Sequence, residues 1–175
     1  MIIILDSNAV LYTAKILGIV TIEMSEDLES SYRAFISLIH RSRIIRAILH
    51  KIVLSEIIDV LQRRIGPSYT QIVVGNIINR FKKMGIVVSG KISMKALKFL
   101  PTICNAANEL YNKGVLSKGF SLVDKLLVSL AYSTKHHLIT EDRDILKLCG
   151  REEFMKRVSR VRVSTMRQLI KELKK

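Results

Sequence analysis

Met1-Ile2-Ile3-Ile4-Leu5 is apolar at every position, rich in β-branched residues, and stops at Asp6. A run without polar alternation suits a strand buried on both faces, the situation inside a parallel sheet covered by helices. Leu138-Ile139-Thr140 is a second short run of this kind, and Glu141-Asp142-Arg143-Asp144 follows it at once. Before it, Leu122, Leu126, Val128, Leu130 and Ala131 recur at a mainly helical period, which predicts a helix over 121–135. Strands alternating with helices imply an α/β fold, with a parallel sheet wound on both faces. In such a sheet ligands gather outside the carboxyl ends of the strands. Two strands here end in acids, and Asp124 lies in the first turn of the intervening helix.

Any one of Asp6, Ser7 or Asn8 is explained well enough as a helix N-cap, since these residue types supply an acceptor to the first turn. That reading weakens when two separate strands both end in carboxylates.

The rest of the chain fills in the alternation. Helices are expected over 10–17, from Ser25-Glu26-Asp27 onward with Leu28, Tyr32, Phe35 and Ile39 on one face, and over 56–64. Another is expected over 68–83, with Ile72, Val73, Ile77 and Phe81 turned inward. The stretch 43–50 fits helix or strand, and its basic residues fit a solvated face better than a phosphate site. Ile52-Val53-Leu54-Ser55 and Ile86-Val87-Val88 read as strands. Pro101 should stop a helix over 93–100, with a separate one over 103–113. A short helix over 145–148 should follow the acidic loop. Arg160-Val161-Arg162-Val163 alternates as an edge strand does, and Thr165 should cap a last helix.

The chain has 175 residues, a length for one domain, with no linker-like or repetitive segment to divide it. No apolar stretch approaches a membrane span, and Asp6 inside the first apolar run argues against a signal peptide. Cys104 and Cys149 lack metal-ligand spacing and fit buried thiols of a cytoplasmic protein. Lys and Arg number 29 against 15 Asp and Glu, a net charge of +14 that points to a polyanionic partner such as nucleic acid.

Taken together, Asp6-Ser7-Asn8, Glu56 in Ser55-Glu56-Ile57-Ile58-Asp59-Val60-Leu61, Asp124 in Leu122-Val123-Asp124, and Thr140-Glu141-Asp142 resemble the acidic quartet of the PIN-domain nucleases, VapC-like toxin ribonucleases among them. The resemblance spans nearly the whole chain and is strongest over 120–145. It implies a small central parallel sheet with helices on both faces, and neighbouring strands for Asp6 and Asp142. Glu56 and Asp59 share a helix face; the resemblance favours Glu56. It also implies catalysis by Asp6, Glu56, Asp124 and Asp142 on single-stranded RNA, an antitoxin as partner, and a homodimer formed through the helices of 25–83.

Two carboxylates about 4 Å apart repel by roughly 4 kcal/mol at an effective dielectric of about 20, so four in one cleft call for a counter-charge. Oxygen-only ligands select Mg²⁺ or Mn²⁺, which could activate water for in-line hydrolysis of a phosphodiester. Asp144 is a further candidate ligand, Asn8 or Ser7 an orienting group, and Thr140 a brace for the Asp142 loop. Lys125 and Arg143 flank two of the acids and are candidates to steer the scissile phosphate. Glu141 departs from the usual neutral residue of the family. His136 and His137 fit structural roles. Competing readings are a housekeeping RNA-processing nuclease and a non-catalytic nucleic-acid-binding module. A haloacid-dehalogenase-like phosphatase needs an acid where this chain has Asn8.

Overall fold

The computed structural model of the protein describes residues 1–41, 45–117, 120–152, 154 and 161–174. Its elements in order are β1 (Ile2–Leu5), α1 (Ser7–Ile16), α2 (Glu26–Arg41), β2 (Arg46–His50), α3 (Lys51–Ile65), α4 (Pro67–Lys83), β3 (Val87–Ser89), α5 (Met94–Asn112), α6 (Leu122–Thr134), β4 (His137–Ile139), α7 (Arg143–Cys149), β5 (Arg162–Ser164) and α8 (Met166–Leu173). The five strands form one parallel sheet in the order β3-β2-β1-β4-β5. β1 is central, which is why its sequence tolerates no polar residue: Ile3, Ile4 and Leu5 are all buried. β4 lies directly beside it, with Ile4 opposite Leu138 and Leu5 opposite Ile139. The neighbouring placement of the strands that precede Asp6 and Asp142 is therefore as expected. The outer strands are less covered, with Arg162 exposed on β5 and Val87 exposed on β3. Of the expected edge strand, Arg160 lies outside the described residues.

Four local expectations differ from the fold. The strand expected over 52–55 is helix. β2 comes earlier, at Arg46–His50, within the stretch that fitted either helix or strand; Arg43 and Ile44 lie outside the described residues. Val53, Leu54, Ile57 and Leu61 form a buried helical stripe, so the short apolar run belonged to a 3.6-residue period. His50 marks the switch. Its Nδ1 accepts the Ile52 N–H at 3.3 Å and its Nε2 lies 3.1 Å from the Lys91 carbonyl, so the buried ring caps α3 and ties it to the segment after β3.

On α4 the buried stripe is Thr70, Val74, Ile77 and Phe81; Ile77 and Phe81 face inward as expected, whereas Ile72 points to solvent and Val73 is half-buried. Cys149 is buried, with its thiol pushed up to about 12 by desolvation, whereas Cys104 is only half-buried.

α5 runs unbroken through Pro101. Pro101 is exposed and has no N–H to offer the Leu97 carbonyl, a local cost. Against it stands a continuous buried face of Ala96, Ile103, Ala106, Ala107 and Leu110 packed largely on α6, with Ser129 Oγ donating to the Ala96 carbonyl. Packing over five turns outweighs one missing hydrogen bond. No helix among the described residues is long and apolar enough to cross a membrane. Because α5 holds its shape against Pro101 rather than through it, Pro101→Ala should raise the thermal midpoint by the equivalent of about 1–3 kcal/mol without altering far-UV circular dichroism. Calorimetry showing a lower midpoint would mean that the proline sets a bend the packing needs.

Candidate active site

Past the carboxyl ends of the three central strands opens a cleft of about 720 Å³. Asp6, Glu56, Asp124 and Asp142 all line it, together with Ser7 and Asn8. The local sequence fixes each acid in place. Asp6 is 4% exposed and does two jobs at once. Its Oδ1 accepts the Ala9 N–H at 2.6 Å as the N-cap of α1, and its Oδ2 accepts from the Thr140 hydroxyl. Asp142 is the N-cap of α7, its Oδ1 accepting the Asp144 N–H at 2.8 Å. Asp124 closes a capping box at the start of α6. Its Oδ2 accepts the Ser121 N–H at 3.1 Å while Ser121 Oγ accepts the Asp124 N–H at 3.0 Å. Glu56 projects from the second turn of α3 and accepts a hydrogen bond from Ser7 Oγ.

The N-cap explanation and the functional one are thus compatible. One oxygen of Asp6, Asp124 and Asp142 holds a helix start, and the same residues border the cleft.

Thr140 is buried. Besides donating to Asp6 it accepts the Asp142 N–H at 2.9 Å, so it sets both acids relative to one another, as a brace would. Asp59, exposed and outside the cleft, yields to Glu56. Lys125 and Arg143 do not line the cleft; among the described residues the cation that does is Arg64, at the end of α3. Helix geometry held the missing signal, because Glu56, Val60 and Arg64 recur every fourth residue and line the cleft together. Tyr12 and Glu23 also border it and carried no motif.

Asp144 turns away from the cleft. It is 2% exposed, and its Oδ2 accepts the Ser117 N–H at 3.0 Å and hydroxyl at 2.7 Å. That bonding suits an anchor for the segment leading to α6 better than a metal ligand. Glu141 likewise faces inward, accepting the Met166 N–H at 3.0 Å and the Tyr32 hydroxyl at 3.3 Å. His137 is a buried β4 residue with Nε2 2.8 Å from Ser164 Oγ, a structural placement.

Electrostatically the site is under-compensated. Burial pushes the Asp6 carboxyl up to about 7, against the lowering effect of its bonds from Thr140 and Ala9, with Glu141 and Asp142 adding repulsion. Burial also raises Glu141, in spite of its two donors. The chemistry of the donor set, carboxylate and hydroxyl oxygens only, fits a hard divalent cation. Among the described residues, however, no three His, Cys, Asp or Glu side chains form a ready-made metal cluster. The acids border the cleft without closing on one point.

The fold has counterparts among solved structures. It matches a chain of VapBC2 from Rickettsia felis, bound to a DNA fragment from their promoter. Identity is 17%, coverage 94% of this chain and 98% of that one, and the TM-score 0.57. DNA-bound VapBC from Salmonella typhimurium matches at 18% identity, 95% and 98% coverage and a TM-score of 0.55. VapBC-1 from nontypeable Haemophilus influenzae gives 15%, 95%, 98% and 0.55. The fold is PIN-like. No family model and no curated protein matches the sequence itself.

Two outcomes follow from this geometry. In the cation-free protein the folded state holds the Asp6 proton to about pH 7, while the unfolded chain releases it near pH 4. The stability from that proton is full below about pH 4 and is lost as pH rises through about 7. Chemical denaturation in chelator should show this decline, a few kcal/mol at most, and Asp6→Asn should flatten it; an unchanged profile would place the titration elsewhere. Asp144→Ala should cost about 1–3 kcal/mol by stranding the Ser117 donors, yet leave Mn²⁺ affinity intact in calorimetric titration. A matching loss of Mn²⁺ affinity would return Asp144 to the ligand set.

Proposed function

We propose that the cleft is the active site of a divalent-metal-dependent endoribonuclease acting on single-stranded RNA, as the toxin of a toxin–antitoxin pair. The observation that carries this reading is the gathering of all four candidate acids along one cleft, on a fold shared over nearly the whole chain with members of VapBC complexes. The net charge of +14 supports a polyanionic substrate. Mg²⁺ or Mn²⁺ held by Asp6, Glu56, Asp124 and Asp142 would supply the Lewis acidity needed to hydrolyse a phosphodiester.

The chain's own residues supply position. Thr140 fixes Asp6 and the Asp142 loop in one frame. Ser7, next to Asp6 in the chain, holds Glu56 by donating to its carboxylate. The capping box presents Asp124 from a rigid helix start rather than from a loop. Asn8 lies exposed at the cleft, where its amide can orient water or substrate. An antitoxin that closes the cleft, and a homodimer, complete the proposed assembly. Tyr69 and Ile72 leave apolar surface on α4 for association.

A housekeeping processing nuclease would use the same site, and an antitoxin co-purifying with the chain separates the two. A non-catalytic binding module would bind RNA without cutting it. The test is cleavage of labelled single-stranded RNA with Mg²⁺ or Mn²⁺, with chelator as control. Asp6→Asn, Asp124→Asn and Asp142→Asn should each lower the rate at least about 100-fold while preserving the caps, since asparagine caps as well as aspartate. Cleavage that survives chelation, or full activity in the Asp6 and Asp142 variants, would overturn the reading.

A further inference from the structure

The cleft is acidic on a basic protein. Five carboxylates line it, those of Asp6, Glu23, Glu56, Asp124 and Asp142, and among its described lining residues Arg64 alone is a cation. Its neighbour Arg63 is spent locally, with Nε donating to the Asp59 carbonyl at 3.0 Å on its own helix. Lys15 and Arg33 pair with Glu29, and Lys147 with Asp144. Arg64 is exposed and reaches the cleft from the last turn of α3.

Its distance from the chemistry is set by the helix. Glu56 and Arg64 lie eight residues apart on one face, hence about 12 Å along the axis. That separation sets Arg64 two turns beyond Glu56 on α3. It suits a strand that crosses the acids and continues along α3. A guanidinium matches a phosphate with two parallel donors.

We propose that Arg64 is the residue by which the cleft grips its nucleic-acid strand, holding a phosphate beyond the cut rather than the scissile one. This rests on the nuclease reading for the position of the cut, but not for the grip itself. Arg64 thus takes the steering role expected of Lys125 and Arg143, at a different phosphate. It makes the site one for an extended single strand of several nucleotides, not for a dinucleotide.

The test has two arms. In chelator, binding of a labelled single-stranded RNA is followed by anisotropy over a series of salt concentrations. Removing one phosphate contact from a single strand should shrink the slope of log K against log salt by about 0.7. Arg64→Ala should show that decrease and weaker binding, and Arg64→Lys should keep most of the slope. With metal present, oligonucleotides carrying one neutral methylphosphonate at successive positions are cleaved. The intact protein should be slowed by a substitution at one position removed from the cut, and Arg64→Ala should be indifferent there, with KM raised and kcat kept. An unchanged salt slope, or an unchanged substitution profile, overturns the proposal even if cleavage occurs. Absence of cleavage with the slope change present overturns the nuclease reading and leaves the grip standing.

Discussion

The structure turns on the bonds of one buried carboxylate. Asp6 ends the central strand, and its backbone N–H donates to the Ile139 carbonyl at 3.1 Å, continuing the β1–β4 pairing one residue past the strand. Its two oxygens then take the start of α1 and the hydroxyl of Thr140. Strand, helix and loop are thereby locked at one residue, and through Thr140 the lock extends to Asp142. Such a site cannot drift without unmaking the centre of the sheet. That is the rigidity expected of a catalytic frame.

A cluster of acids in a cleft needs stabilisation even before any cation arrives. Here it comes from helix ends. α1, α6 and α7 all begin at the cleft, each with an acid in its cap or first turn. Orphan N–H groups and the positive end of the macrodipole favour carboxylates at just this point. The compensation is incomplete at Asp6, where desolvation still dominates and its proton is held to about neutrality. Glu141 adds to the imbalance from behind. It is fixed to the start of α8 and to Tyr32, close enough to Asp6 to raise it. Glu141 therefore bears on the cleft through Asp6.

Much of this was legible in the sequence, for reasons that differ by element. β1 and β4 declared themselves because double-sided burial excludes polar residues, and the acids that end them could only fall at the ligand side of the sheet. The error at 52–55 arose where a strand hands over directly to a helix: the apolar residues of both merge, and only the longer period through Ile57 and Leu61 shows which element owns them. Pro101 misled because propensity is local while the α5–α6 interface is not. Lys125 and Arg143 adjoin the acids only in sequence. Sequence neighbours point about 100° apart on a helix, whereas the row Glu56, Val60 and Arg64 drifts by only about 40° per step and keeps one broad face on the cleft. Asp144, two residues from Asp142, turns instead to Ser117.

The distribution of charge links these features to function. A surplus of 14 positive charges draws a polyanion toward the molecule, an attraction that screens out over about 8 Å at physiological salt. At the cleft itself the local sign is opposite, with five lining acids against Arg64. A phosphate arriving at the acids would meet repulsion unless cations reverse that sign, while a phosphate arriving at Arg64 would not. On this reading the metal requirement has two roots, substrate approach and chemistry. The arrangement also accounts for Asp6: a carboxyl that holds its proton near neutrality carries less negative charge while no cation is bound, which limits the repulsion the fold must bear in that state.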